Sequence, residues 1–471
     1  MDAKLDLRRR PSGLELSAPC IHPTRSGEEN FDVSPVICQR EVRLQSASVS
    51  QPMRLAVVGS GVSGLASAHL LGPRHDVVLY EADDRLGGHA NTVEVDDPKL
   101  GAVGVDTGFI VHNDRNYPHL IRLFDELAVP VVESEMSFAV HNHRDGFYYR
   151  ATSLNTLFAD RRRLVDQRMW RMLFDIARFY RLGRKLLRQA QTGDLSVWSK
   201  TIGSLLDDGG YGPEFIEAHL IPMGAAVWSA PPDRFRDFPA ISLLRFLDNH
   251  GLLSVGNRPM WKTVAGGSRV YVDAIARHFK GEIRLASPVS AVERLGDGVL
   301  VTSNGQTERY DAVVLACHSD QSLRLLMDPS AGEERNLAAI GYQSNAAILH
   351  TDVGVLPPDQ RAWAAWNYDV MSGTDRATVT YDITRLMRLD SCHRYLVTLN
   401  DPGRIDHRAI IAEIEYQHPV FDHAAVQAQE RIRTSNGTNN TWFCGAWLGY
   451  GFHEDGMASA VEVARSLGAH W

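Results

Sequence analysis

Gly59, Gly61 and Gly64 stand at G-x-G-x-x-G spacing within Gly59-Ser60-Gly61-Val62-Ser63-Gly64, and Glu81 follows 22 positions after the first of them. Such a set holds a diphosphate and a ribose. Gly59 permits a tight turn, Gly61 lets a phosphate approach the backbone, and Gly64 lets a helix pack closely on a strand. The Glu81 carboxylate suits hydrogen bonds from ribose hydroxyls and would repel a phosphate placed on them. Near the other end of the chain, Tyr450 and His453 have side chains able to move protons, His453 being better matched to neutral pH. A loop histidine also serves simply as scaffold, so no catalytic residue is assigned. The five cysteines, Cys20, Cys38, Cys317, Cys392 and Cys444, lie far apart and form no CxxC or Cys/His set. Neither a metal site nor a disulfide framework is expected, and a reducing cytoplasm fits best.

The elements that must position these groups are legible around them. Residues 54–58 form a short apolar, β-prone run, 65–71 a helical stretch, and 76–80 a second strand ending at Glu81, which together make a βαβ unit. Its helix N-terminus offers free N–H groups and a positive dipole end to phosphates. Further buried strands are expected over 311–317 and 441–445, a helix after 263–269, and a C-terminal helix through Ala464. With 471 residues, the chain exceeds the roughly 250–300 at which one core stops growing. The expected fold class is α/β in two domains. A discontinuous nucleotide domain takes 53–130, 256–330 and 431–471, and an inserted α+β substrate domain takes 131–255 and 331–430. Residues 1–52 mix charge, Pro, Ser and Gly without periodicity and are expected to be a disordered extension, with Met53 a candidate start.

Charge narrows the partners. A formal net charge of -8 argues against a nucleic-acid binder with a broad basic face. No run reaches the roughly 18–20 apolar residues of a membrane span. Residues 160–188 carry Arg161, Arg162, Arg163, Arg168, Arg171, Arg178, Arg181, Arg184, Lys185 and Arg188 among apolar residues, the pattern of a basic amphipathic helix. It reads either as a surface helix with a solvated arginine face or as one that rests on an anionic membrane surface, peripheral to its inner face.

After the second strand, Glu81-Ala82-Asp83-Asp84-Arg85-Leu86-Gly87-Gly88-His89 carries E-x3-R-x-G-G. This resembles the FAD enzymes of the amine oxidase, phytoene desaturase and protoporphyrinogen oxidase superfamily. The segments 221–228, 258–264 and 449–456 are similar to one bacterial family of FAD-dependent amine-oxidase-like proteins. The resemblance implies a Rossmann-like, glutathione-reductase-type fold with non-covalent FAD. It places Gly59, Ser60, Gly61, Val62, Ser63, Gly64, Glu81, Ala82, Arg85, Gly87, Gly88 and His89 along the cofactor. By the same resemblance Thr107, Gly108 and Phe109 lie beside the flavin, Val289 on its adenine side, and Gly445, Asp455, Gly456 and Met457 at the closing helix. The commonest form of the motif has arginine where His89 stands, which points to a different subfamily.

Association of that bacterial family with fatty-acid synthesis genes implies a hydrophobic or acyl-lipid substrate, from which a hydride and a proton are removed. Amine oxidases of the superfamily place a lysine near the flavin through a water, and no lysine follows Lys280. Amine oxidation is therefore the alternative, together with a flavoprotein that passes electrons to a partner protein. Trp363, Trp366, Tyr368, Trp447 and Tyr450 are candidates to line an apolar tunnel or a cation cage, or else to be core.

Overall fold

The computed structural model describes residues 51–228, 234–253, 259–371 and 377–471. The expected N-terminal extension lies outside the described residues except for its last two positions, and so does Arg258 of the 258–264 motif. Strand β1 (Arg54–Val58), helix α1 (Val62–Leu71) and strand β2 (Asp76–Tyr80) form the expected βαβ unit, with Arg54 opposite Asp76 and Val58 opposite Tyr80. Both faces of this pair are covered, so Leu55, Ala56 and Val57 are all buried rather than alternating. Helix α1 is buried along its whole length except at His69, which explains why it has no polar stripe. Helix α2 (Pro118–Glu126) starts at a proline, whose missing N–H costs nothing in a first turn.

The chain then leaves the sheet through β3 (Phe138–Asn142), β4 (Phe147–Arg150), α3 (Gln167–Gln191) and α4 (Ala240–Asn249). It returns with α5 (Arg269–His278), β5 (Glu282–Arg284) and β6 (Ala312–Leu315). A second excursion supplies β7 (Gly341–His350), β8 (Trp366–Val370), β9 (Thr378–Asp382), β10 (Leu396–Leu399) and β11 (Ile410–Val420). Helix α6 (His423–Ser435), β12 (Thr441–Phe443) and α7 (His453–Ser466) complete it.

Two sheets position the site. The first is five-stranded and parallel throughout, in the order β5-β2-β1-β6-β12, drawing strands from three separated stretches of sequence. The second is seven-stranded, in the order β11-β7-β10-β9-β8-β3-β4, and joins the two excursions where β3 runs parallel to β8. This is the α/β, Rossmann-like arrangement with an inserted α+β part that the sequence suggested.

The basic helix begins later than its arginine pattern implies. Asp160 accepts the N–H of Arg162 and caps a 3-10 turn over Arg161–Val165, and Asp166 then accepts the N–H of Arg168 and caps α3. Two successive caps divide one charge run into two elements. Among the described residues no helix is long and apolar enough to cross a membrane.

Candidate functional site

A cavity of about 1160 Å³ opens where the two sheets meet. It exceeds the roughly 300–1,000 Å³ usual for a single small ligand. One part is lined by the turn after β1 and the end of β2, the other by side chains from α3, α4 and the seven-stranded sheet.

The turn is shaped for a phosphate. Gly61 caps α1, and a Cβ built there meets nothing within 4 Å, so the backbone faces open space. A Cβ on Gly64 would fall 1.8 Å from the Gly59 carbonyl oxygen, so α1 sits against the turn only because that residue is glycine. The first N–H groups of α1 have no acceptor within the helix and lie at this end of the cavity. Glu81 accepts hydrogen bonds from the backbone N–H of Ser60 at 2.8 Å and from its hydroxyl, which holds the carboxylate beside the turn.

Helix α7 brings a second N-terminus. A Cβ on Gly456 would lie 2.7 Å from Val62 Cγ1 and 2.8 Å from Ser63 Oγ, so glycine there lets the two helix starts close on each other. Two positive dipole ends therefore converge on one cavity.

Of the residues expected along the cofactor, Gly59, Ser60, Gly61, Val62, Ser63, Glu81, Ala82, Gly88, His89, Thr107, Gly108, Phe109, Val289 and Gly445 line the cavity. Gly64, Arg85, Gly87, Asp455, Gly456 and Met457 are not on its lining. Arg85 turns back on its own loop, donating to the carbonyls of Gly88 at 3.0 Å and Leu86 at 3.4 Å. Asp455 accepts the Phe452 N–H at 2.9 Å and caps α7, and burial pushes its carboxyl up to about 7. Glu454 reaches across to cap α2, accepting from the N–H groups of His119 and Leu120. Met457 is buried in the core. Among the aromatic candidates, Trp366, Trp447 and Tyr450 line the cavity, while Trp363 donates to the Pro357 carbonyl and Tyr368 is core.

The lining also carries a set of histidines: His89, His219, His250, His318, His418 and His453. Burial lowers every one of them. His219, His250 and His418 are pushed down to about 4 and His453 to about 3. Burial also lowers His318, and it takes His89 well below its ordinary value. All are therefore neutral at pH 7. His453 stacks on Phe109 with ring centres 3.7 Å apart and hydrogen-bonds the Tyr271 hydroxyl at 3.1 Å. His89 stacks on Tyr416 at 4.8 Å, and its Nε2 is buried without a partner. An orphaned polar atom on the wall of an apolar cavity fits a bound polar group.

His219, His250, His318 and His418 belong to none of the motifs in the sequence, because they come from widely separated segments that only the tertiary fold brings together. The charged lining residues are Glu81, Asp83, Glu135 and Arg324, and among the described residues no lysine lines the cavity. Glu135 is already paired with Arg150 and Arg385, and Arg324 with Asp320.

Outside the cavity, His141, His143 and Asp369 approach one another at metal-ligand spacing. Arg404 donates to Asp369 at 2.7 Å and stands 3.2 Å from His143 Nε2, so a guanidinium already supplies the positive charge there. Cys317, Cys392 and Cys444 are free thiols.

The family model described as flavin containing amine oxidoreductase matches residues 62–378. A Mycobacterium tuberculosis protein described as a flavin-containing monoamine oxidase is 25% identical over 370 residues, which cover 73% of this chain and 74% of that protein. Among solved structures, a fatty acid isomerase from P. acnes superposes with a TM-score of 0.64 at 17% identity, over 89% of this chain and 99% of its own. A putrescine oxidase bound to putrescine gives a TM-score of 0.65 at 15% identity over the same shares. At such identities these two structures share the fold.

Proposed function

We propose, for a chain that belongs to the flavin-containing amine oxidoreductase family and is an FAD-dependent oxidoreductase, that its substrate is hydrophobic, of the fatty-acyl class. A hydride and a proton leave that substrate, and bound FAD supplies the electron acceptor. In this reading Gly59, Ser60, Gly61, Val62 and Ser63 hold the diphosphate, and Glu81 and Ala82 the adenosine ribose. Gly88, His89, Thr107, Gly108, Phe109, Val289 and Gly445 lie along the rest of the cofactor. Gly64, Gly87, Arg85, Asp455, Gly456 and Met457 act from behind by shaping the loops and helix ends. Replacing Glu81 with alanine is expected to weaken FAD binding about 10- to 100-fold, the worth of hydrogen bonds to a charged group. Flavin fluorescence titration of the apoprotein reads this, and unchanged affinity would remove Glu81 from the ribose.

The observation that supports the substrate class is the lining away from the nucleotide turn. Met223, Phe246, Leu252, Trp366, Tyr381 and Leu399 meet neutral His219 and His250, and the nearby carboxylate of Glu135 is held by two arginines. Such a wall excludes water and orients an apolar chain, and it offers no free carboxylate to an ammonium group. Its histidines are neutral at pH 7, so the departing proton passes to such a side chain or to water at the cavity mouth. Free thiols at Cys317, Cys392 and Cys444 suit work in a reducing cytoplasm.

Chain length provides the test. Each added methylene buried in the chamber contributes about 0.8 kcal/mol, so kcat/KM should rise about fourfold per methylene until the chamber is full. A series insensitive to length would contradict the reading. Amine oxidation is the second reading, supported by the names of the tuberculosis relative and the putrescine oxidase. The absence of lysine from the lining among the described residues and the paired state of Glu135 weigh against it.

A further inference from the structure

We infer that the face formed by the start of α3 and the turns before it is a docking surface for an anionic phospholipid bilayer. Large apolar side chains gather there in the open: Val165 is 87% exposed, Leu154 76% and Phe174 66%, with Leu164 and Trp170 also exposed. They form one patch. The Trp170 indole N–H donates to the Leu164 carbonyl at 2.9 Å, and its ring lies 5.6 Å from Phe158, four residues after Leu154. A contiguous apolar surface of this kind needs a partner.

Charge selects that partner. Arg168 and Arg178 are tied to Asp145, Glu214 and Asp175. Arg171, Arg181, Lys185 and Arg188, by contrast, are exposed and pair with no carboxylate among the described residues. Arg181, Lys185 and Arg188 follow Phe174 along α3 by 7, 11 and 14 positions, and Arg171 stands three before it, so one stripe of the helix is apolar around Phe174 and cationic beyond. A second copy of this chain would bring cation against cation, whereas an anionic surface satisfies both halves of the stripe. The chain as a whole carries a net charge of -8, so it is the local cationic stripe and not the overall charge that draws this face to such a surface.

Two residues close to the patch in sequence line the cavity. Ala151, three residues before Leu154, lines it, and so does Tyr180 on α3. Docking there would bring the bilayer to elements that line the cavity. The use of that proximity for an acyl substrate rests on the substrate reading, whereas docking itself does not.

The test is co-sedimentation of the full chain with vesicles of phosphatidylcholine alone or containing phosphatidylglycerol. Binding is expected to the second kind and to fall with added salt. Val165→Glu with Phe174→Glu should lower it at least about 100-fold, each lost insertion being worth about tenfold or more. Arg181→Glu with Lys185→Glu and Arg188→Glu should lower it by a similar factor, at about 1 kcal/mol per cation. These residues are exposed and outside the cavity, so the variants should keep the wild-type melting temperature, which is checked in parallel. Equal pelleting with both vesicles, or no pelleting, would overturn the inference. So would variants that bind as the wild type does, or a dimer in sedimentation velocity that the apolar pair of substitutions splits. The assay reads no turnover, so a wrong substrate class leaves its result unchanged.

Discussion

Replacing Gly61 with valine should leave a folded, colourless protein, whereas the same change at Gly64 should prevent folding. Both glycines belong to one motif, yet the space around them differs. A Cβ at Gly61 meets nothing within 4 Å, and its φ of -60° and ψ of 177° are open to any residue, so the added side chain fills only the space a phosphate would take. At Gly64 the Cβ would lie 1.8 Å from the Gly59 carbonyl oxygen, a backbone atom that cannot yield without unmaking the turn. Overpacking in a buried element costs about 1–3 kcal/mol even where side chains can shift, and more where the obstacle is backbone. The first variant is expected to keep its circular dichroism while FAD affinity falls at least about 100-fold, or about 2.7 kcal/mol. The second should be insoluble or melt far below the wild type. Flavin retained by the Gly61 variant would place the diphosphate elsewhere.

Acidification should destabilise the protein steeply between pH 6.5 and 4. The cavity histidines are neutral in the fold because burial disfavours the cation, with His219, His250 and His418 held down to about 4 and His453 to about 3. In the unfolded chain a histidine takes its proton near pH 6.5. Between these values the unfolded state binds more protons, so the stability present above pH 6.5 is lost as the pH falls. Each such group contributes about 1.4 kcal/mol per pH unit across that interval.

Two buried carboxyls act in the opposite sense. Burial raises Asp455 to about 7 and Asp106 to about 6, so the fold binds protons there before the unfolded chain does. They are outnumbered by the histidines, and the net slope follows the imidazoles. Melting temperatures measured from pH 7 to 4.5 should fall throughout, and His219→Gln should flatten the fall. A level profile, or one that the substitution leaves as steep, would contradict the neutral lining.

The nucleotide end was legible because its requirements are local. A turn that must admit a phosphate and a helix that must touch a strand each demand glycine at fixed spacing, and the acid that follows sits at the end of the next strand. Chain-distant geometry was less accessible. Asp455 was expected at the cofactor, yet it caps α7, and Gly456 is glycine for the sake of Val62 and Ser63 on another helix. Arg85 matches its motif, but its guanidinium is taken up by the carbonyls of its own loop. The start of α3 is set by the Asp166 cap, a short-range signal obscured by the arginine run. His219, His250, His318 and His418 share no spacing at all. His219 lies between α3 and α4, His250 just after α4, His318 just after β6 and His418 on β11, so only the tertiary fold brings them to one cavity.

The substrate class is tested most directly by anaerobic titration of the FAD-loaded protein, following the flavin absorption band. A long-chain fatty acid or acyl lipid is predicted to bleach the band, while a primary amine of the same chain length leaves it unchanged. Bleaching by the amine alone would contradict the account and make this chain an amine oxidase.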